Sequence, residues 1–176
     1  MIFIETELKG AHIIELERRE DNRGFFARTW CQQEFAAHGL AAHIVQVNLS
    51  YNHTRGTLRG MHFQTAPYAE AKLVRAVRGA IYDVIIDLRP DSPTYKRWIG
   101  VELTADNHRA LYVPEGFAHG FQTLEDHTDV LYAMSAFHTP FAASGLRYND
   151  PAFAITWPLP VSVISERDTS WADFVG

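Results

Sequence analysis

Apolar residues recur at every second position in short runs through most of this chain. Between Met1 and Leu8 the alternation centres on Ile2, Ile4 and Thr6, which predicts an N-terminal strand. Leu73–Val77 and Ile81–Leu88 are denser β-rich runs, and Gly79 lies where a turn would join them. Arg97–Leu103, Ala110–Val113, Gly120–Leu124 and Val130–Ser135 continue the series, with Gly, Pro and Asn between the runs. Short strands at roughly 8–12-residue spacing are the signature of a sandwich or barrel. Cys31–Ala42 is the exception. Phe35, Ala36 and Leu40 would share one helical face there, and Gly39 restricts the element to a short helix. The predicted fold is all-β with a few short helices, and a jelly roll is the architecture chosen within that class.

Composition narrows the setting. At 176 residues, without a repeat, linker or low-complexity tract, the chain is read as a single domain over 1–176. Its one cysteine, Cys31, excludes an internal disulfide and predicts a reducing, cytoplasmic setting with a packing role for the thiol. Glu5, Glu7 and Lys9 interrupt the first apolar stretch, so no signal peptide is expected, and no run has the roughly 20 apolar residues of a membrane span. Sixteen basic against 21 acidic residues give a net charge of −5, which argues against nucleic acid as a partner. The only lysines are Lys9, Lys72 and Lys96.

Three segments carry more polar chemistry than a strand core selects. In Arg55–Gln64 (RGTLRGMHFQ), Arg59 and His62 sit beside a glycine in an otherwise apolar strand. The two-residue period places Gly60, His62 and Gln64 on one face. His62 is either a satisfied core histidine or a working group in a barrel interior. Pro114–Thr123 (PEGFAHGFQT) holds His119. Lys72, Asp83, Asp87 and Tyr132 are each embedded in apolar sequence. Asp87 and Arg89 read as a solvated pair at a strand end. Lys72 leads into Leu73-Val74 and must snorkel or point into a polar cavity, where it would stabilise an anion. Glu70, two residues away, would pair with it. A lysine beside the site opposes a metal and favours an oxyanion, so the site is read as metal-free. No GxGxxG, P-loop or GxSxG is present. Ser165–Asp168 is either a charged turn or the return of a carboxylate that orients a histidine.

Taken in order, DNRGFF (Asp21–Phe26), QVN (Gln46–Asn48), LRGMHFQ (Leu58–Gln64), KLV (Lys72–Val74), PEGFAHGF (Pro114–Phe121), Asp150-Pro151, Trp157-Pro158 and Arg167-Asp168 resemble the dTDP-4-dehydrorhamnose 3,5-epimerase family over nearly the whole chain. The resemblance implies a cupin-type jelly roll (a double-stranded β-helix) and a homodimer with exchanged strands. It also implies no metal or organic cofactor, a nucleotide-sugar substrate, and a role in deoxysugar and polysaccharide biosynthesis. By the same resemblance His62 is the general base and Asp168 the carboxylate that orients it. Tyr132 is the acid on the opposite face and Lys72 stabilises the enolate oxygen. Arg23, Gln46, Asn48, Arg59, His119 and Arg167 match positions that hold the sugar nucleotide, and Phe26, Arg28 and His138 fall among its binding positions as well. The assignment is chemically coherent, because inversion removes a proton on one face and returns one on the other, so base and acid are different groups.

Three positions depart from the family pattern. A glutamate is common where this chain has Arg28, a tyrosine where it has His138, and a glutamate where it has Ala143. All three lie around the nucleotide in the family, so the expectation is retained epimerase chemistry on a carrier that is not dTDP, such as CDP, GDP or UDP. The same residues leave other functions open: a keto-sugar isomerase, a non-catalytic sugar-nucleotide-binding barrel, and a metal-dependent cupin dioxygenase.

Overall fold

The computed structural model describes residues 1–175. Among them run β1 (Ile2–Glu5), β2 (His12–Glu15), β3 (Arg19–Asp21), β4 (Gly24–Phe26), α1 (Gln32–Ala37), β5 (Gln46–Asn52), β6 (Leu58–Gln64), β7 (Lys72–Arg78), β8 (Ala80–Asp87), β9 (Trp98–Thr104), β10 (Ala110–Val113), β11 (Phe117–Thr123), β12 (Thr128–Met134), β13 (Ala143–Gly145) and α2 (Glu166–Thr169). A six-stranded sheet takes the order β1-β2-β10-β7-β12-β5, and a five-stranded sheet the order β13-β6-β11-β8-β9. Every ladder within them is antiparallel. The two sheets face each other as a jelly roll of the cupin type, the predicted class. No helix among the described residues is long and apolar enough to cross a membrane.

The dense apolar runs become the central strands because both of their faces are covered. Between the sheets Val74, Leu111, Val113 and Val130 meet Ile81, Ile85, Phe117 and Phe121. Outside the six-stranded sheet Phe35 of α1 closes on Ile14, Leu73 and Tyr112. Outside the five-stranded sheet, Leu146 and Phe153 cover Met61, Val84, Ile86 and Ala118. One core thus lies between the sheets, with a smaller apolar layer on each outer face.

Several expectations need correction. The N-terminal strand is shorter than Met1–Leu8: Ile2 and Ile4 point outward on an edge strand, while Phe3 faces inward and packs edge-on to Phe35. The helix ends at Ala37, with Ala36 exposed and Gly39 at φ +69 just beyond. The Asp87–Arg89 pair exists but is not solvated at the carboxylate. Asp87 has no exposed surface and also accepts from the Ser92 and Thr94 hydroxyls at 2.5 and 2.6 Å. Burial alone would raise its carboxyl, but the bonds from Arg89, Ser92 and Thr94 prevail and hold it down at about 2. The hairpin β3–β4 is a separate two-stranded sheet whose residues are all exposed.

Candidate active site

The inter-sheet space opens into a cavity of about 710 Å³, the size of a small-molecule site. Two walls furnish it. β6 and β11, from the five-stranded sheet, place His62 and His119 directly opposite each other in register. β5, β7 and β12, from the six-stranded sheet, bring Gln46, Asn48, Lys72 and Tyr132.

His62 stands where the sequence period put it, facing the cavity with Gln64. Its Nε2 meets Asp168 Oδ1 at 2.6 Å. The carboxylate arrives on α2, where the Ser165 hydroxyl accepts from the Asp168 N–H at 3.1 Å and caps the turn. Upstream, the Leu58 N–H donates to the Val163 carbonyl at 2.8 Å and ties this segment to the start of β6. Asp168 Oδ2 accepts from the Gly60 N–H at 3.3 Å. Burial would raise the Asp168 carboxyl, but the bonds from His62 and Gly60 and the imidazole charge outweigh it and hold the group below its usual range. An ionised Asp168 only accepts, so it is Nε2–H of His62 that donates in this contact, and in the neutral ring Nδ1 is the nitrogen left with a lone pair. Gly60 is required here. It sits at φ +126, and a Cβ would come within 2.5 Å of the Gly120 Cα on β11.

Lys72 crosses from the opposite wall. Its Nζ pairs with Glu70 at 3.0 Å and donates to the His62 carbonyl at 3.2 Å, with only 7% of the side chain exposed. The expected Glu70 partnership is present, and it gives a buried ammonium the counter-charge that burial demands. Tyr132, between Asn48 and Val74 in the sheet register, faces His62's wall from the other side. An imidazole and a phenol therefore line the cavity from opposite sheets, and the Lys72 ammonium reaches across to the backbone of His62's strand.

Around this centre Arg59 donates through Nε to Asn52 Oδ1 at 2.7 Å, and Gln46 Nε2 to Asn48 Oδ1 at 3.0 Å. The Gln46 carbonyl oxygen also accepts from the His138 N–H at 3.2 Å, fixing one rim of the cavity. Gln64 fixes the same rim by accepting from the Thr139 N–H at 2.6 Å. Arg59, His138 and Arg167 all border the cavity. Arg23, Phe26 and Arg28 do not border the cavity of this chain. Arg23 lies against Asp21, Arg28 against Glu34, and Phe26 is 72% exposed at the end of the outlying hairpin. Among the described residues no three His, Cys, Asp or Glu side chains converge as a metal site requires.

Sequence reasoning gave Asp83 no role. It lies fully buried on β8 with Oδ1 2.7 Å from His119 Nε2, forming a second imidazole–carboxylate pair. The available signal was an aspartate inside an apolar strand, which needs a donor wherever it is buried.

The fold and cavity define a cupin-type jelly roll equipped for acid–base chemistry on a small molecule. The family model described as dTDP-4-dehydrorhamnose 3,5-epimerase matches residues 5–175. The dTDP-4-dehydrorhamnose 3,5-epimerase of Methanothermobacter thermautotrophicus is 45% identical over 172 residues, covering 96% of this chain and 92% of that protein. The crystal structure of the enzyme of that name from Elizabethkingia anophelis superimposes with a TM-score of 0.96 at 37% identity, covering 99% of this chain and 96% of the other. That from Bacillus anthracis, solved with TDP and PPi bound, gives 0.93 at 44% identity, covering 98% and 99%. This chain belongs to the dTDP-4-dehydrorhamnose 3,5-epimerase family and is an isomerase-class enzyme.

Proposed function

We propose that the protein epimerises a 4-keto-6-deoxy sugar carried on a nucleoside diphosphate, at C3, C5 or both. His62, oriented by Asp168, removes a proton from the carbon beside the ketone, and Lys72 stabilises the enolate oxygen in a desolvated cavity where such a contact is worth more than in water. Tyr132 returns a proton on the far face. Arg59 and Arg167 suit the diphosphate, since a planar guanidinium makes paired charge-assisted bonds to it. Gln46, Asn48 and His119 hold the sugar nucleotide. The observation that carries this reading is the 2.6 Å His62–Asp168 contact set across the cavity from Tyr132.

The assembly is a homodimer with exchanged strands, without bound metal or organic cofactor, working in the cytoplasm in deoxysugar supply for polysaccharide. The exposed β3–β4 hairpin supports it, since Arg23 and Phe26 serve a substrate only if the hairpin reaches the cavity of a second copy. A second reading concerns the carrier. The relative solved with TDP favours dTDP, whereas His138 and Ala143 at the cavity, and Arg28 if it reaches the cavity of a second copy, offer a base different hydrogen bonds from the family's usual residues.

Incubating 4-keto-6-deoxyglucose on dTDP, CDP, GDP and UDP with the protein in D₂O, followed by mass spectrometry, tests both. Uptake of one or two deuteriums counts the centres touched, and the preferred carrier names the base. A clear preference for dTDP overturns the second reading. No uptake on any carrier overturns the first.

A further inference from the structure

The segment that delivers Asp168 is tied at its start by the Leu58–Val163 bond. At its far end the Arg147–Asp173 pair and the Phe174 N–H bond to Asp150 Oδ2 at 2.6 Å hold it, which leaves the stretch around α2 to its side chains. α2 is a single turn, and Asp168 is the one buried residue from 163 to 175. Beyond α2 the first side chain to regain the body of the protein is Trp171. Its indole lies on Gly145, so close that a Cβ there would stand 2.4 Å from the ring atoms Cε2 and Nε1. Gly145 is the β13 residue paired in register with His62. The same indole carries the Arg167 guanidinium 5.4 Å from its ring centroid. The indole Nε1 is buried without an acceptor, so packing rather than a hydrogen bond sets the ring's orientation.

The geometry points to Trp171 as a positioning residue. One ring seats the C-terminal segment on the strand that backs His62, keeps Asp168 at its 2.6 Å contact and holds Arg167 toward the cavity mouth. Its two contacts act on different parts of the reaction. The seat on Gly145 acts through Asp168 on proton removal, while the stack under Arg167 acts on substrate binding, where a cation over an aromatic face is stabilised. Phe174, farther along, packs on Phe153 and anchors the same segment at a different point of the body. This inference rests on the epimerase reading for its kinetic readout alone.

The test compares Trp171→Ala, Trp171→Phe, Trp171→Leu and Phe174→Ala in the full chain. It measures steady-state deuterium uptake and the imidazole ¹⁵N shifts of His62 without substrate. Trp171→Ala lowers kcat by about 10- to 100-fold, the scale of a misplaced catalytic group. It also raises KM and moves the His62 nitrogens toward those of Asp168→Asn, because the tautomer is no longer fixed. Trp171→Phe restores both parameters. Trp171→Leu fills the seat but cannot stack, so it retains kcat and raises KM. Phe174→Ala lowers Tm and leaves kcat and the His62 nitrogens in place. Unchanged kcat, KM and nitrogens in Trp171→Ala overturn the proposal, and so do equal losses in Trp171→Ala and Phe174→Ala. Where Trp171→Ala does not fold, Trp171→Leu decides: a KM no higher than that of the parent overturns the assignment. If the parent turns over no substrate, the ¹⁵N arm alone still decides the seat, and failure of the epimerase reading is recorded separately.

Discussion

Single side chains divide the proposed chemistry into separable steps. His62→Ala abolishes deuterium uptake, because no other imidazole in the cavity is backed by Asp168. Tyr132→Phe spares uptake more than inversion, since the base still exchanges the proton while the far-face donor is gone. Equal loss of both in Tyr132→Phe would assign the two residues to one step instead of two. At Asp87 the measurement is stability. The folded carboxyl lies at about 2 against an ordinary 3.8, so its contribution is complete above about pH 4 and is lost as pH falls toward 2. A shift of that size corresponds to roughly 2 kcal/mol. Asp87→Asn removes this part of the acid limb in urea unfolding series between pH 2 and 5. The lowered Asp168 carboxyl acts in the same direction, so some acid sensitivity persists in the variant.

The site depends on how closely β6 and β11 approach. Gly60→Ala drives a Cβ to within 2.5 Å of the Gly120 backbone and forces an L residue to φ +126. The expected cost is roughly 2–4 kcal/mol, read as a fall in the urea midpoint, with activity reduced in the folded fraction because the Gly60 N–H no longer reaches Asp168. The strands that sequence made legible are those with apolar neighbours on both faces. β8, β10 and β12 lie within a residue or two of their predicted ends because Val, Ile and Leu crowd them. β2 and β5, like the three-residue β3, β4 and β13, were not predicted. In β5 the polar Gln46, Asn48 and Ser50 face the cavity while Val47, Leu49 and Tyr51 are exposed, an inverted alternation with no buried stripe to read. Among site residues, Lys72 announced itself by its place in an apolar run. The link between His62 and Asp168 spans 106 positions and depends on one helical turn, which no local periodicity encodes.

On the scale of the whole molecule, the unused hairpin predicts an assembly. If β3–β4 of each copy completes the cavity of the other, Arg23→Ala and His62→Ala are defects in different halves of one site. Mixing the two inactive proteins under conditions that exchange subunits then regenerates one intact site in each mixed dimer. Statistical pairing gives about a quarter of the unmutated activity per site, as closed two-fold symmetry requires. No recovery, with mixed dimers verified by mass spectrometry, would mean that Arg23 serves its own chain or none.

The placement of His62 and Tyr132 on opposing sheets has a further consequence. Face-to-face sheets stand about 10 Å apart, so two rings reaching inward from them leave a slot, and the sandwich works as a caliper. On the proposed chemistry the sugar ring enters that slot edgewise, with one jaw on each face. Turning the ring over presents a different carbon to the same jaws, so the number of centres inverted depends on headroom for the turn and not on any change of base or acid. The jaw opening is set by side chains packed between the walls, Val74, Val130 and Ile85, none of which lines the cavity. On that chemistry, core volume helps decide how many centres are inverted.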